Sequence, residues 1–540
     1  MTFDTALRMT IVAVVTAGAA AAQEHAHPAA PGEKLGTVHF ATSCRPAAAA
    51  SFDRAVALLH SFEFGTAVDA FRQAQALDPA CAVTEWGIAL SRWGNPFAVG
   101  ARAAAALGQG REAIAHARAM GGGATPRERA YIDAAAQLYE NFEQRPQRAR
   151  VLAYRDAMAA LAAAHPDDEE AAIFYALSLT ASEDLADKTY ASRLKAGAIL
   201  EPLFAKHPDH PGLAHYIIHS YDVPALAPKA VDAARRYAAI APSAPHALHM
   251  PSHTFTRIGA WQDSIDTNIA SAEAAKRVRT PSEELHATDY QMYAYLQTAQ
   301  DAAARRLLDS LPELVPRFEA NPSGAAAPPE AGWFAASAIP ARWTLERGAW
   351  AEAARLEPRS TALPYVDALT WFARALGAAR SGDTAAARSA VTQLEALRDR
   401  EAAASEPYWT GQIAIQRDAA AAWLLFAEGH RDDAIAAMRA AAAAEDRTEK
   451  SAMTPGPLAP ARELLGEMLL EANQPAGALQ QFEATLGKEP HRFRATYGAA
   501  KAARLAGQPA VADRYFKQLL SMCGRADQPG RPELREARGR

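Results

Sequence analysis

Apolar positions recur with a helical period along most of the chain, and in places the whole pattern repeats after 34 residues. Ala214, Ile217, Ile218 and Tyr221 fall at i, i+3, i+4 and i+7, one face of a helix, and Leu248, Pro251, Ser252 and Phe255 take the same places 34 residues on. Near the C-terminus Gly466, Ala478 and Phe482 are followed at the same interval by Ala500, Ala512 and Phe516. At the other end, Ala55 and Leu58, then Ala67, Phe71 and Ala74, set small residues where helices cross and Phe where a knob fills the groove. Turn signals separate these stretches: Asp78-Pro79, Gly259-Ala-Trp261, Gly348-Ala-Trp350, Gly382-Asp383 and Gly429, while Thr125-Pro-Arg-Glu128 reads as a capping box with Pro at the first helical position. No sustained apolar/polar alternation appears. The pattern predicts an all-α chain, an α-solenoid or superhelix of about a dozen antiparallel helix pairs.

Composition refines the boundaries. Arg8, the apolar run Met9 to Ala20 and the Ala20-Ala-Ala22 site read residues 1–22 as a signal peptide, so the mature chain is expected to be periplasmic or secreted. A polar, disordered leader is expected over 23–46, an N-terminal superhelix over 47–318, a Pro/Gly-rich connector over 319–331, a C-terminal superhelix over 332–523 and a disordered tail over 524–540. With cleavage after Ala22, His25 would be the third residue, a place from which it could chelate Cu(II) with the free amine. The net charge of −5 and pI near 6.4 give no case for nucleic acid, and no apolar run is long enough for a membrane span. Of three cysteines, Cys44 and Cys81 lie at the same end of the first helix pair and are expected to form a disulfide, which would contribute roughly 3–4 kcal/mol by loop entropy. Cys523 is left as an apolar filler.

The chemistry concentrates in residues 210–293. His215 and His219 recur 34 residues later as His249 and His253. Asp222 extends the first helical row, His246 and Thr256 the second, and His286, Asp289 and Tyr293 form a third. Stacked repeats bring such rows side by side. His215, His219, His249, His253, His246 and His286, with Asp222 and Asp289 as ligands or orienting partners, therefore make a candidate metal site, and imidazole suits Zn, Cu or Ni. Against it stands a metal-free reading in which the histidines bond to one another and contact a peptide. Pro251 should free the carbonyl of Ala247 and kink its row. No nucleophile elbow, HExxH, Walker loop or dinucleotide fingerprint is present, so catalysis is not expected, and a metal-dependent hydrolase is the weaker alternative.

The motifs His210-Pro-Gly-x-x-His-Tyr-x-Ile-His219 and His246-x-x-His-Met-Pro-Ser-His253, with Ile339-Pro-Ala-Arg342, Thr454-Pro-Gly-Pro457 and Pro460-Ala-Arg-Glu463, resemble a subset of exported bacterial tetratricopeptide (TPR) repeat proteins. The likeness covers roughly residues 37 to 523. It implies a concave groove that binds a peptide or protein partner. On that mapping the histidine rows and Tyr293 line the groove together with Trp86, Trp93, Arg342, Trp423, Glu463 and Glu467. The tryptophans also read as packing, and the glutamates as a solvated face that approaches the histidines only if the superhelix closes.

Overall fold

The computed structural model describes residues 32–539 except 99, 323, 325, 405 and 406. The signal peptide and His25 lie outside these residues. Every regular element among them is helical, and most helices pack on their chain neighbours, beginning with Pro46–His60 on Phe64–Leu77 and continuing to Phe493–Leu505 on Pro509–Met522. Proline occupies the first turn of many of these helices, where its missing N–H costs nothing and its fixed φ favours entry. The crossings are close because small residues sit under rings: a Cβ on Gly87 would lie 2.1 Å from the Phe71 ring, and one on Gly498 would lie 2.5 Å from Phe482.

Two large cores, one built from residues 35–255 and one from residues 299–537, are bridged by smaller clusters around Trp261, Tyr293 and Phe318. The superhelix closes on itself. Trp261 Nε1 donates to the His491 carbonyl at 2.9 Å, Phe493 N–H to Gln297 Oε1 at 2.8 Å, and Arg492 Nη1 to the Tyr293 hydroxyl at 2.9 Å. On the opposite side Lys188 pairs with Glu449 at 2.7 Å.

Two expectations change, and the connector gains a definite place. Residues 33–45 are an ordered strap rather than a disordered leader. Phe40 is buried against Phe52, Trp86 and Tyr131, Thr37 N–H bonds to the Asp209 carbonyl, and Ser43 bonds to Glu128. The C-terminal tail carries the helix Pro532–Arg538, whose Leu534 and Ala537 are buried, and Arg531 pairs with Asp301. The connector is docked, with Ala326 and Ala327 N–H both held by Glu283. In each case a few apolar side chains and backbone bonds outweigh a polar composition. Cys44 and Cys81 are joined by a disulfide with a Cα–Cα distance of 5.0 Å. Cys523 is buried, which pushes its thiol up to about 12.

Candidate metal centre

Four helices build the site: α1 (Pro211–Ser220), α2 (Pro245–His249), α3 (Pro251–Arg257) and α4 (Pro281–Gln297). His210 caps α1, its Nδ1 accepting the Leu213 N–H at 3.3 Å. Pro251 does not kink the row sharply. Met250 keeps helical dihedrals (φ −54°, ψ −36°), so α2 and α3 continue each other, with the His253 N–H bonded to the Met250 carbonyl at 3.1 Å in a tightened turn.

The histidines on these helices gather into two triads, His215/His219/His246 and His249/His253/His286, each with three ring nitrogens within 4.8 Å of one another. The triads face each other: His219 lies 5.9 Å from His253 and His246 lies 6.1 Å from His249 between ring centroids. All six rings are buried.

Hydrogen bonds on the outer side of the rings decide which nitrogen faces inward. His215 Nδ1–H donates to the His60 carbonyl at 2.6 Å, and His253 Nδ1–H to the Asp222 carboxylate at 3.0 Å. His249 Nδ1–H donates at 2.7 Å to Asn268 Oδ1, whose own amide is committed to the Ser264 carbonyl. A neutral imidazole that donates from Nδ1 presents a bare lone pair at Nε2. With both rings neutral, His249 Nε2 and His253 Nε2 meet at 3.1 Å as two acceptors, and the Tyr290 hydroxyl lies 3.4 Å from His253 Nε2. His246 Nε2 and His215 Nε2 stand 3.2 Å apart. His219 Nε2, His246 Nδ1 and His286 Nδ1 are buried with no hydrogen-bond partner at all, each a costly state for a polar atom.

Protonation does not resolve this crowding. Burial, reinforced by the neighbouring His60 and His253, pushes His215 down to about 3, and burial with His253 and Lys450 does the same to His286. Burial and neighbouring imidazoles hold His219, His246 and His249 well below the ordinary histidine range. His253 is also lowered by burial, against the pull of Asp222. Burial alone would raise Asp222, but Lys450, Arg257 and the His253 bond keep it well below the carboxylate range, so it stands ionised behind His253. Arg257 bonds to it at 2.8 Å and Lys450 at 3.4 Å.

Aromatic rings wall the site: Phe97 stacks on His219 at 3.9 Å, Phe62 meets His215 at 4.4 Å, and Tyr290 sits edge-on to His249 at 4.7 Å. The space left between the triads and the segments that cover them, residues 95–98, 326–328 and 451–453, is a cavity of about 30 Å³. That holds a few water-sized atoms, not a peptide.

The groove positions read from the sequence are not open. Residues 450–457 of the chain itself run across them: Tyr290 donates to the carbonyls of Ala452 and Thr454, and Arg342 donates to Thr454 Oγ1 at 2.9 Å and to the Gly456 carbonyl at 3.1 Å. Asp289 is not among the ring nitrogens. It pairs with buried Arg342 at 2.7 Å. Tyr293 bonds to Arg492 and Glu489, and Trp86 lies in the N-terminal core against Tyr131 and Phe174. Trp93 packs under Arg102 and Arg150, and Trp423 under Arg380. Glu463 and Glu467 form no solvated face: Glu463 is buried on Arg492 at 2.8 Å, and Glu467 binds Arg380 and Arg494. The charged groups among these residues, Asp289, Arg342, Glu463 and Glu467, are paired with one another or with Arg380, Arg492 and Arg494.

Several residues of the site carry no signal of their own in the sequence. Asn268 and Lys450 support the triads from outside the histidine rows, and Arg257 does so from the turn after His253. His60, Glu170 and His210 form a third buried group, Glu170 accepting from both rings at 2.9 Å, with His60 also bonded to the Tyr216 hydroxyl at 2.9 Å. Its ring nitrogens are all partnered, and it braces His215 through the His60 carbonyl.

No family model matches the chain, and no curated protein matches it. Among solved structures it is similar to a chain of the crystal structure of the APC/C hetero-tetramer Cut9-Hcn1 (TM-score 0.26, 11% identity, covering 90% of this chain and 95% of that one). A second is a chain of the structure of Naa15/Naa10 bound to HypK-THB (TM-score 0.25, 12% identity, covering 91% and 85%). What the site can do follows from its own side chains.

Proposed function

We propose that this helical-repeat protein is a metalloprotein whose six histidines hold two transition-metal ions side by side, one in each triad. The contact between His249 Nε2 and His253 Nε2 carries the reading. Two acceptor lone pairs at 3.1 Å repel each other unless a proton or a metal ion lies between them, and burial lowers the proton affinity of both rings. An ion about 2.0–2.1 Å from both nitrogens would see them at an angle of about 100°, close to tetrahedral. The buried, unpartnered nitrogens of His219, His246 and His286 support the same conclusion. Carbonyl, carboxamide and carboxylate acceptors behind His215, His249 and His253 are the outer-shell partners that fix metal-binding tautomers. The small cavity and the self-occupied groove do not favour a peptide ligand at this place. We also propose that the chain is exported, a reading supported by the disulfide at Cys44–Cys81.

The test is metal content. The full chain, purified without a histidine tag, and a variant with His215, His219, His249 and His253 all changed to Ala are analysed by elemental mass spectrometry before and after incubation with Zn, Cu or Ni. Two ions per chain, lost in the variant, support the proposal. A wild-type chain that takes up no ion sinks it.

A further inference from the structure

Resting on the two-ion reading above, we infer that the centre is a cuprous pair that binds dioxygen between its two triads. The first argument is charge. All six donors of the two triads are imidazoles, which ligate a metal as neutral groups, and no carboxylate belongs to either triad. The nearest one, Asp222, is spent on His253, Arg257 and Lys450. Two divalent ions would bring four uncompensated positive charges into this buried space. Two cuprous ions bring two, and imidazole is a ligand that suits copper.

The second argument is coordination. Each triad offers three nitrogens, a number that suits a cuprous ion, and the triads face each other, His219 5.9 Å from His253 and His246 6.1 Å from His249, with the cavity beside them. The third is size and polarity. A cavity of about 30 Å³, lined by His219, His246, His253 and His286 and by the apolar Phe97, Ala98, Ala326 and Met453, has room for a diatomic apolar gas.

The step balances without another reactant. Each cuprous ion gives up one electron. The two electrons reduce dioxygen to peroxide, which stays bound between two cupric ions, and no proton moves. The net charge of the centre is two positive before and after, so the low-dielectric surroundings impose no new cost. Release of dioxygen reverses the transfer.

The experiment loads the full chain anaerobically with a cuprous salt, removes excess copper, and admits dioxygen. Expected are two coppers per chain, uptake of one dioxygen per copper pair, a near-ultraviolet charge-transfer band that fades when the gas is removed, and an oxygen–oxygen stretch that shifts with heavy-isotope dioxygen. His219→Gln and His286→Gln, each checked for native helicity by circular dichroism, should each retain one copper and lose the band. The inference is overturned by a wild-type chain with two coppers that are oxidised without bound dioxygen, by one that takes only a single copper, or by one that holds zinc which cuprous ion fails to displace. Those results leave the two-ion or single-ion metal reading standing. A chain that binds no metal removes both.

Discussion

At the scale of single residues, the centre depends on groups that never touch an ion. Asn268→Ala would leave His249 free to rotate and to change tautomer, and loss of such an orienting partner lowers metal affinity by about 10–100-fold. A competition titration against a chelator reads this directly, and unchanged affinity would show that Asn268 does not set the tautomer. The histidines also fix the response to acid. Their folded-state values lie below the ordinary 6.5, to about 3 for His215 and His286, so the folded chain stays neutral where the unfolded chain takes up protons. Their contribution to stability is complete above pH 6.5 and is lost as pH falls from there toward 3, at about 1.4 kcal/mol per pH unit for each such histidine. Denaturant titrations of the metal-free chain at pH 7.5 and 5.5 should therefore show a lower midpoint at the acid pH. Equal midpoints would mean that the rings are not buried as described.

The elements owe their spacing to small residues beneath rings. Gly498→Ala would drive a methyl into Phe482 and should cost about 1–3 kcal/mol, visible as a lower melting temperature with helicity retained below it. A neutral result would mean the crossing is looser than drawn. The helix pairs and their 34-residue period were legible because both depend on local spacing of apolar and small residues. The continuity of α2 and α3 was not: a proline inside a helix predicts a kink, and here the neighbouring helices hold Met250 in helical geometry. The strap at residues 33–45 and the helix Pro532–Arg538 were missed for a related reason. Each owes its order to a few contacts with distant parts of the chain, such as Phe40 on Trp86, which no local period records.

At the scale of the whole molecule, closure converts a groove into an enclosed centre. Arg492 stands at the junction, paired with Glu463 and Glu346 at 2.8 Å each and bonded to Tyr293. Arg492→Ala would leave buried Glu346 without its cation and Glu463 with only Arg494 at 3.8 Å, a change of about 3–5 kcal/mol, measured as a drop in the denaturation midpoint. Loss of less than about 1 kcal/mol would show that closure does not depend on this pair. Saturating metal should act in the opposite direction, adding about 2.7 kcal/mol at a hundredfold excess over the dissociation constant. The sequence by itself determined the helices, their pairing and the recurrence of His215 and His219 as His249 and His253, because these follow from spacing along the chain. Only the tertiary structure decided that the six rings split into two facing triads, that Asp222 stands behind one of them while Asp289 serves Arg342, and that residues 450–457 occupy the groove. Those outcomes depend on which distant segments meet when the superhelix closes and on which buried charge finds a partner first, and neither is written in any local pattern.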